Sequence, residues 1–166
     1  MASITLHGTP FHTVGELSKR GTKAPGFELV HSKNLEVVTL DSFTNKRKVL
    51  NIFPSLDTPT CAMSVRSFNE KAAGLDNTVV INISRDLPFA QQRFCGAEGI
   101  ENAVTLSTFR STFELDYSLL IADGPLMGLA SRVVMVLDAD NTVLYAQQVT
   151  EIADEPDYEA ALAILK

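Results

Sequence analysis

Cysteine is scarce in this chain, and long apolar runs are missing. Cys61 and Cys95 are the only cysteines among 166 residues. Small disulfide-stabilised folds use several bridges to replace a core, so this class is excluded and each cysteine needs another explanation. No run of about 18 apolar residues occurs, and the N-terminal segment lacks the charged and apolar parts of a secretory signal. We therefore expect a cytoplasmic protein without a membrane segment.

Basic residues and histidines are too few for the sites that commonly use them. Fourteen lysines and arginines stand against twenty acidic residues, with no basic cluster that could follow a phosphate backbone. The three histidines, His7, His12 and His31, lie near the N terminus at spacings that do not suit a metal site. We therefore expect no nucleic-acid partner and no metal.

What remains is the composition of an ordinary folded domain. Hydrophobic residues make up 45% of the chain and charged residues 20%, and the length is close to the commonest domain size. We expect residues 1–166 to form a single domain.

The apolar pattern predicts strands and helices in alternation after an N-terminal hairpin. The predicted strands are Ser3–Leu6, Phe11–Val14, Phe27–His31, Leu35–Leu40, Lys48–Phe53, Asn77–Ile83, Ala103–Leu106, Arg132–Leu137 and Thr142–Gln147. The predicted helices are Pro59 to near Gly74, Leu87–Cys95 and Pro156–Lys166, with a helix or turn over Phe109–Tyr117. This order is that of an α/β thioredoxin-like fold with an N-terminal β-hairpin extension.

Cys61 lies in the predicted first turn of a helix. Thr58 suits the N-cap and Pro59 the first helical position. Free N–H groups and the helix dipole favour a thiolate in that turn. Cys61 also shares an apolar stripe with Val65 and Phe68, which predicts a sulfur at the bottom of a shallow pocket. The position alone leaves two interpretations open, a reactive thiolate and a small buried hydrophobic residue.

Cys95 occupies the end of the next predicted helix. Leu87, Ala90, Phe94 and Cys95 are expected on one side, so the Cys95 thiol should face the core. Burial beside Phe94 is by itself a sufficient explanation for this cysteine.

The segment PSLDTPTC carries a family resemblance. Pro54, Thr58 and Cys61 follow the pattern Pro-x-x-x-Thr-x-x-Cys that is typical of the peroxiredoxins. KVLNIFPSLDTPTCAMSVRSFN, DLPFAQQRFCGAEGI, VTLSTFR, IADGPLMGLASR and EPDYEAALA resemble the bacterial thiol peroxidase branch, in order and over the full length. Thr60 departs from the family, which commonly has valine before the cysteine.

The resemblance implies a mechanism. Cys61 is then the peroxidatic cysteine, which attacks hydrogen peroxide or an organic hydroperoxide and becomes a sulfenic acid. Cys95 is the resolving cysteine of an intramolecular disulfide, which thioredoxin reduces. The Thr58 hydroxyl then bonds to the peroxide and to the Cys61 sulfur, and the Cys61 N–H bonds to the peroxide. The Arg132 guanidinium stabilises the thiolate and the developing alkoxide, and Pro54 shields the sulfur. The family also implies a homodimer and no cofactor.

Simpler interpretations stay open for each residue. Arg132 suits a surface ion pair at a strand end, Thr58 a plain N-cap, and Pro54 the end of a strand. A bond between Cys61 and Cys95 requires Cα atoms within about 7 Å. Because Cys95 is expected on a separate helix with its thiol facing the core, we expect both cysteine segments to unwind locally during turnover. A redox switch without rapid turnover, or a static disulfide, is the alternative function.

Overall fold

The computed structural model describes residues 2–72, 74–100 and 104–166, which form two sheets and four helices. The strands are β1 (Ser3–Leu6), β2 (Thr9–His12), β3 (Glu28–His31), β4 (Val37–Thr39), β5 (Arg47–Ile52), β6 (Thr78–Ser84), β7 (Val104–Ser107), β8 (Val133–Leu137) and β9 (Val143–Gln148). The helices are α1 (Pro59–Lys71), α2 (Pro88–Ala97), α3 (Phe113–Asp116) and α4 (Tyr158–Ala163). In this part of the chain, every helix is too short or too polar to cross a bilayer.

The larger sheet has seven strands in the order β4-β3-β7-β6-β5-β8-β9. Strands β5, β6 and β7 are parallel, as crossover helices α1 and α2 require, and the other pairs are antiparallel. The apolar runs at its centre are buried because both faces of the sheet are covered. Leu50 packs into the core on one face, whereas its neighbour Val49 packs with Phe68 on the other. The predicted thioredoxin-like α/β fold is confirmed.

The N-terminal hairpin forms as predicted, although its second strand begins earlier, at Thr9. The turn is tight because His7 and Gly8 both adopt positive φ angles, 49° and 84°. The hairpin docks on the chain that follows β9: the Thr5 N–H donates to the Thr150 carbonyl at 2.8 Å, and the Ile152 N–H donates to the Thr5 carbonyl at 2.8 Å. The extension therefore supports the segment after β9.

Helix α1 confirms the predicted stripe. Cys61, Val65 and Phe68 are all fully buried. The helix ends at Lys71, slightly before the predicted end near Gly74.

The predicted stripe of α2 is wrong in part. Leu87 precedes the helix and is 53% exposed, whereas Pro88, Gln91 and Cys95 form the buried side. Gln91 takes an inward position because its Nε2 donates to Ser84 Oγ at 3.1 Å and to the Leu106 carbonyl at 3.0 Å. Cys95 nevertheless faces inward, as predicted.

Smaller differences occur near the sheet edges. The predicted strand Leu35–Leu40 is shortened because a 3₁₀ turn over Leu40–Phe43 follows β4. Ala103, the predicted start of β7, lies outside the described residues.

Candidate active site

Cys61 is the third residue of α1, and its surroundings are apolar. Thr58 occupies the N-cap and Pro59 the first helical position, as predicted. The side chain of Cys61 belongs to a cluster of buried residues, which also contains Phe53, Leu56, Val65, Cys95 and Ile100. The first-turn position leaves backbone N–H groups directed out of the helix end, where the dipole favours negative charge. The sulfur therefore lies in a water-poor site with a positive local field.

Arg132 contacts this sulfur directly. It precedes β8 and is 2% exposed; its Nη2 lies 3.2 Å from Cys61 Sγ and its Nε donates to the Ile152 carbonyl at 2.9 Å. No carboxylate forms an ion pair with it in the described part of the chain, so the surface ion-pair interpretation is wrong. A buried guanidinium needs a counter-charge, and the Cys61 thiolate can supply it.

One nitrogen of the same guanidinium has no partner. Arg132 Nη1 is buried and makes no hydrogen bond to any described residue. A guanidinium has five N–H donors, so Arg132 can hold the sulfur and still donate to a second oxygen atom beside it.

The Thr58 hydroxyl makes neither the predicted bond to the Cys61 sulfur nor the alternative N-cap bond. It donates to the Ser55 carbonyl at 3.0 Å, and within residues 2–72, 74–100 and 104–166 it neither caps α1 nor bonds to Cys61. The plain N-cap interpretation is therefore wrong for the hydroxyl, although Thr58 does occupy that position. Its oxygen retains lone pairs that can accept a hydrogen bond.

Pro54 is buried two positions after the last residue of β5, Ile52, in the turn that leads to α1. It ends the strand, as the simpler interpretation expects, and it lies next to Phe53 of the Cys61 cluster. Both properties suit a residue that keeps water from the sulfur.

The polar residues around this turn include one that sequence reasoning missed. Asp86, the second residue after β6, accepts hydrogen bonds from Ser55 Oγ at 2.6 Å and from the Leu56 N–H at 2.8 Å. Its position after a buried parallel strand is a signal that could have found it, because the carboxyl ends of such strands commonly carry functional groups.

A second missed group lies beneath α1. Ser64 Oγ donates to the Cys61 carbonyl at 2.8 Å and accepts from Asn51 Nδ2 at 3.2 Å, while Asn51 Nδ2 also reaches Asn82 Oδ1 at 3.0 Å. The two asparagines are register partners on β5 and β6. Each asparagine interrupts an apolar run of the sequence, and this interruption could have indicated a buried polar network. The network holds the backbone of Cys61.

Thr60, the departure from the family pattern, joins α1 to the segment after β9. Its hydroxyl donates to the Ala153 carbonyl at 2.8 Å. That segment is fixed in turn by Glu151, whose carboxylate accepts from the Ala153 N–H at 3.0 Å and the Gly8 N–H at 2.9 Å. These backbone donors lower the pKa of Glu151 to about 2. The hairpin therefore supports the segment that holds Arg132 and Thr60.

Cys95 lies in the last turn of α2 and shares the buried cluster of Cys61. It is 9% exposed, and its sulfur lies 3.6 Å from Thr105 Oγ1. Both cysteines are free thiols. An ion pair between Arg66 and Glu98, 2.9 Å long, joins α1 to the C-cap of α2. The two thiols thus lie in one core region without being bonded.

Comparisons with known proteins identify the family of the chain. The Redoxin family model matches residues 19–162. The thiol peroxidases of Mycobacterium tuberculosis and Mycobacterium bovis are 54% identical over 165 residues, covering 99% of this chain and 99% of theirs. A peroxiredoxin-like protein from Aquifex aeolicus superposes with a TM-score of 0.91 at 36% identity, covering 98% of this chain and 95% of that one. A thiol peroxidase from Chromobacterium violaceum has the same TM-score and coverages at 25% identity. The chain therefore belongs to the Redoxin family and, within it, to the thiol peroxidases, which are peroxidase oxidoreductases.

Proposed function

We propose that this chain reduces hydrogen peroxide and organic hydroperoxides with Cys61 as the attacking nucleophile. The observation that carries the proposal is the contact of Arg132 Nη2 with Cys61 Sγ at 3.2 Å, with Cys61 fully buried in the first turn of α1. A guanidinium at that distance favours the thiolate, which is the reactive form of cysteine.

The first step is an attack of the thiolate on the terminal oxygen of the hydroperoxide. The S–O bond forms as the O–O bond breaks, so the sulfur gives up an electron pair and becomes a sulfenic acid. The hydrogen of the terminal oxygen stays with it as the sulfenic O–H, and the leaving oxygen takes a proton from solvent and departs as an alcohol or water. Negative charge moves from sulfur to this oxygen, and fixed donors along the path stabilise the transition state.

Three groups are proposed to bind the peroxide. The unpartnered Nη1 of Arg132 donates to the leaving oxygen, the Cys61 N–H donates to the same peroxide, and the Thr58 oxygen accepts a hydrogen bond from the peroxide O–H. Pro54 excludes water from the sulfur. For Thr58 this role is compatible with its present bond to Ser55, because the donor of that bond is the hydroxyl hydrogen.

The second step is proposed to join Cys61 to Cys95. The Cys95 thiolate attacks the Cys61 sulfenic sulfur, the S–S bond forms and hydroxide leaves as water. The shared cluster supports this pairing, since both thiols belong to one core region. Because both lie within helices, local unwinding of their segments precedes the bond. A thioredoxin dithiol then reduces the disulfide by exchange and restores both thiols.

A single-turnover experiment tests both steps. The chain has no tryptophan whose fluorescence could follow the reaction. The reduced protein is therefore mixed with one equivalent of hydroperoxide, quenched rapidly with a thiol alkylator and analysed by peptide mass spectrometry. Oxidation much faster than that of a free thiol, followed by a Cys61–Cys95 bond that thioredoxin removes, is the expected result. Oxidation as slow as that of an ordinary thiol would overturn the proposal.

Residues 1–166 are further proposed to act as one cytoplasmic domain that pairs into a homodimer. Support for the dimer comes from exposed apolar side chains, Leu87 at 53% and Phe89 at 69% at the start of α2 and Met127 at 66% in the loop before β8. Sedimentation of the reduced protein tests the dimer, and cell fractionation tests the location.

A further inference from the structure

Asp86 lies between the two cysteine segments and makes contacts with both sides. It lies two positions after the last residue of β6, Ser84, and two positions before the first residue of α2, Pro88. Its side chain bonds to the turn that precedes α1. Asp86 is therefore close in sequence to α2, which carries Cys95, and in contact with the turn before α1, which carries Cys61.

The carboxylate accepts three hydrogen bonds. Ser55 Oγ donates to Oδ1 at 2.6 Å, while the Leu56 N–H at 2.8 Å and Ser84 Oγ at 2.6 Å donate to Oδ2. Bonds to an ionised acceptor are about twice as strong as those between neutral groups. The backbone carbonyl of Asp86 is held as well, by Ser107 Oγ. Asp86 is thus fixed to the sheet and holds the Cys61 turn against it.

The turn that Asp86 holds determines where Thr58 lies. Ser55 Oγ, which donates to Asp86, accepts from the Asp57 N–H at 3.1 Å. The Ser55 carbonyl accepts from the Thr58 N–H at 3.2 Å and from the Thr58 hydroxyl at 3.0 Å. Loss of the Asp86 bonds would therefore release Ser55 from the sheet. Because Ser55 holds Thr58, the position of the α1 N-cap residue would then also be less restrained.

We propose that Asp86 is a positioning residue that holds the reduced site closed and couples unwinding of the Cys61 turn to the start of the Cys95 helix. The proposal rests on the proposed function, since it concerns the balance between the peroxide step and the disulfide step. In the closed state, Thr58 and Cys61 are aligned for peroxide. In the opened state, Cys61 can reach Cys95.

The variant Asp86→Asn tests this role. An amide keeps the shape but replaces one acceptor oxygen with a donor, so the Leu56 N–H and the two serine hydroxyls can no longer all be satisfied. We expect the oxidation of Cys61 by one equivalent of hydroperoxide to slow about tenfold and the following disulfide formation to accelerate by a similar factor. At excess peroxide, less sulfinic acid should form, because the sulfenic acid is consumed before a second peroxide oxidises it.

Asp57→Asn is the matched control. Asp57 is an exposed residue of the same turn, its carboxylate makes no hydrogen bond to a described residue, and its backbone donor is retained. The control removes the same charge at a similar place and should keep both rates within about twofold of the parent. Hydrogen exchange at the Leu56 amide gives an independent readout, with faster exchange expected only in Asp86→Asn.

The outcomes separate the two proposals. Slow oxidation of the parent protein itself would overturn the proposed function. A fast parent with Asp86→Asn equal to Asp57→Asn, or with both rates lowered together, would overturn the role of Asp86 alone. If Asp86→Asn fails to fold, Ser55→Ala removes one donor and leaves the carboxylate in place. Ser55→Ala should also slow the oxidation of Cys61 and accelerate disulfide formation, each by a smaller factor than Asp86→Asn. If both rates in Ser55→Ala equal those of the parent, the inference is overturned.

Discussion

Cys61 and Cys95 occupy one apolar cluster but opposite ends of their helices. Cys61 lies in the first turn of α1, where the dipole is positive, with the Arg132 guanidinium 3.2 Å from its sulfur. Cys95 lies in the last turn of α2, where the dipole is negative, and the only partner of its sulfur in the described chain is the neutral hydroxyl of Thr105. The two sulfurs are thus similarly buried, but the local field is positive at Cys61 and negative at Cys95. The two sites therefore differ in the position of the cysteine on its helix and in the guanidinium contact far more than in exposure.

The largest effect is expected from Cys61→Ser. A serine hydroxyl in the same place is a far weaker nucleophile than a thiolate and cannot form a sulfenic acid. We expect peroxide consumption to fall to the level of buffer, measured by loss of hydroperoxide under thioredoxin recycling. Retained activity would show that Cys61 is not the reactive residue and would remove the contrast between the two cysteines.

Cys95→Ser should separate the two steps. Oxidation of Cys61 by the first equivalent of hydroperoxide should stay within about twofold of the parent, since Cys95 does not contact Arg132 in the described structure. Recycling by thioredoxin should stop, and mass spectrometry should find a persistent sulfenic acid. If the variant turned over at the parental rate, Cys95 would be only a buried hydrophobic residue.

Arg132→Lys tests the electrostatic half of the comparison. Lysine keeps the charge but loses the planar fork that reaches Ile152 and the sulfur together. We expect the peroxide step to slow about a hundredfold, the size reported for the loss of one preorganised donor. In the Cys95→Ser background, the rate of Cys61 alkylation at neutral pH should fall as well, because less thiolate is present.

Arg110→Lys is the control for that change. Arg110 is an exposed arginine whose guanidinium lies 5.5 Å from the ring centre of Phe109. Its replacement should leave both rates within about twofold of the parent. An Arg132→Lys protein that behaved like this control would mean that the helix end alone activates Cys61.

The local parts of this comparison could be predicted from the sequence. Thr58 and Pro59 mark a helix start within a few residues, so the first-turn position of Cys61 followed from short-range rules. The fold order followed from apolar periods that neighbouring residues set. Gln91 did not follow, because a polar residue is read as exposed unless its buried partners, here Ser84 and Leu106, are known.

The contacts that complete the site join distant parts of the chain. Arg132 is 71 positions from Cys61, and Asp86 is 31 positions from Ser55. Residue spacing alone does not bring such pairs together; only the sheet order does. The resemblance to peroxiredoxins implied a role for Arg132. One of the stretches that carry the resemblance begins with Asp86, but no role was predicted for that residue.

The smallest effect is expected from Thr60→Val, which restores the residue that the family commonly has. The hydroxyl of Thr60 holds the first turn of α1 to the Ala153 carbonyl at 2.8 Å, and Cys95 lacks a comparable tether among the described contacts. Valine keeps the shape and removes the donor, so the Cys61 turn should open more readily. One neutral hydrogen bond corresponds to about a two- to tenfold change in an equilibrium. We expect disulfide formation to accelerate within that range while the peroxide step changes less than about twofold.

Thr60→Ser is the matched control, because it keeps the hydroxyl and loses only a methyl group. Rapid quench and mass spectrometry on all three proteins give both rates from one experiment. Equal disulfide rates in the valine and serine variants would mean that the bond to Ala153 does not restrain the Cys61 turn. The readiness of Cys61 to leave its site would then depend on the bonds before the helix, at Ser55 and Leu56, and not on those within its first turn.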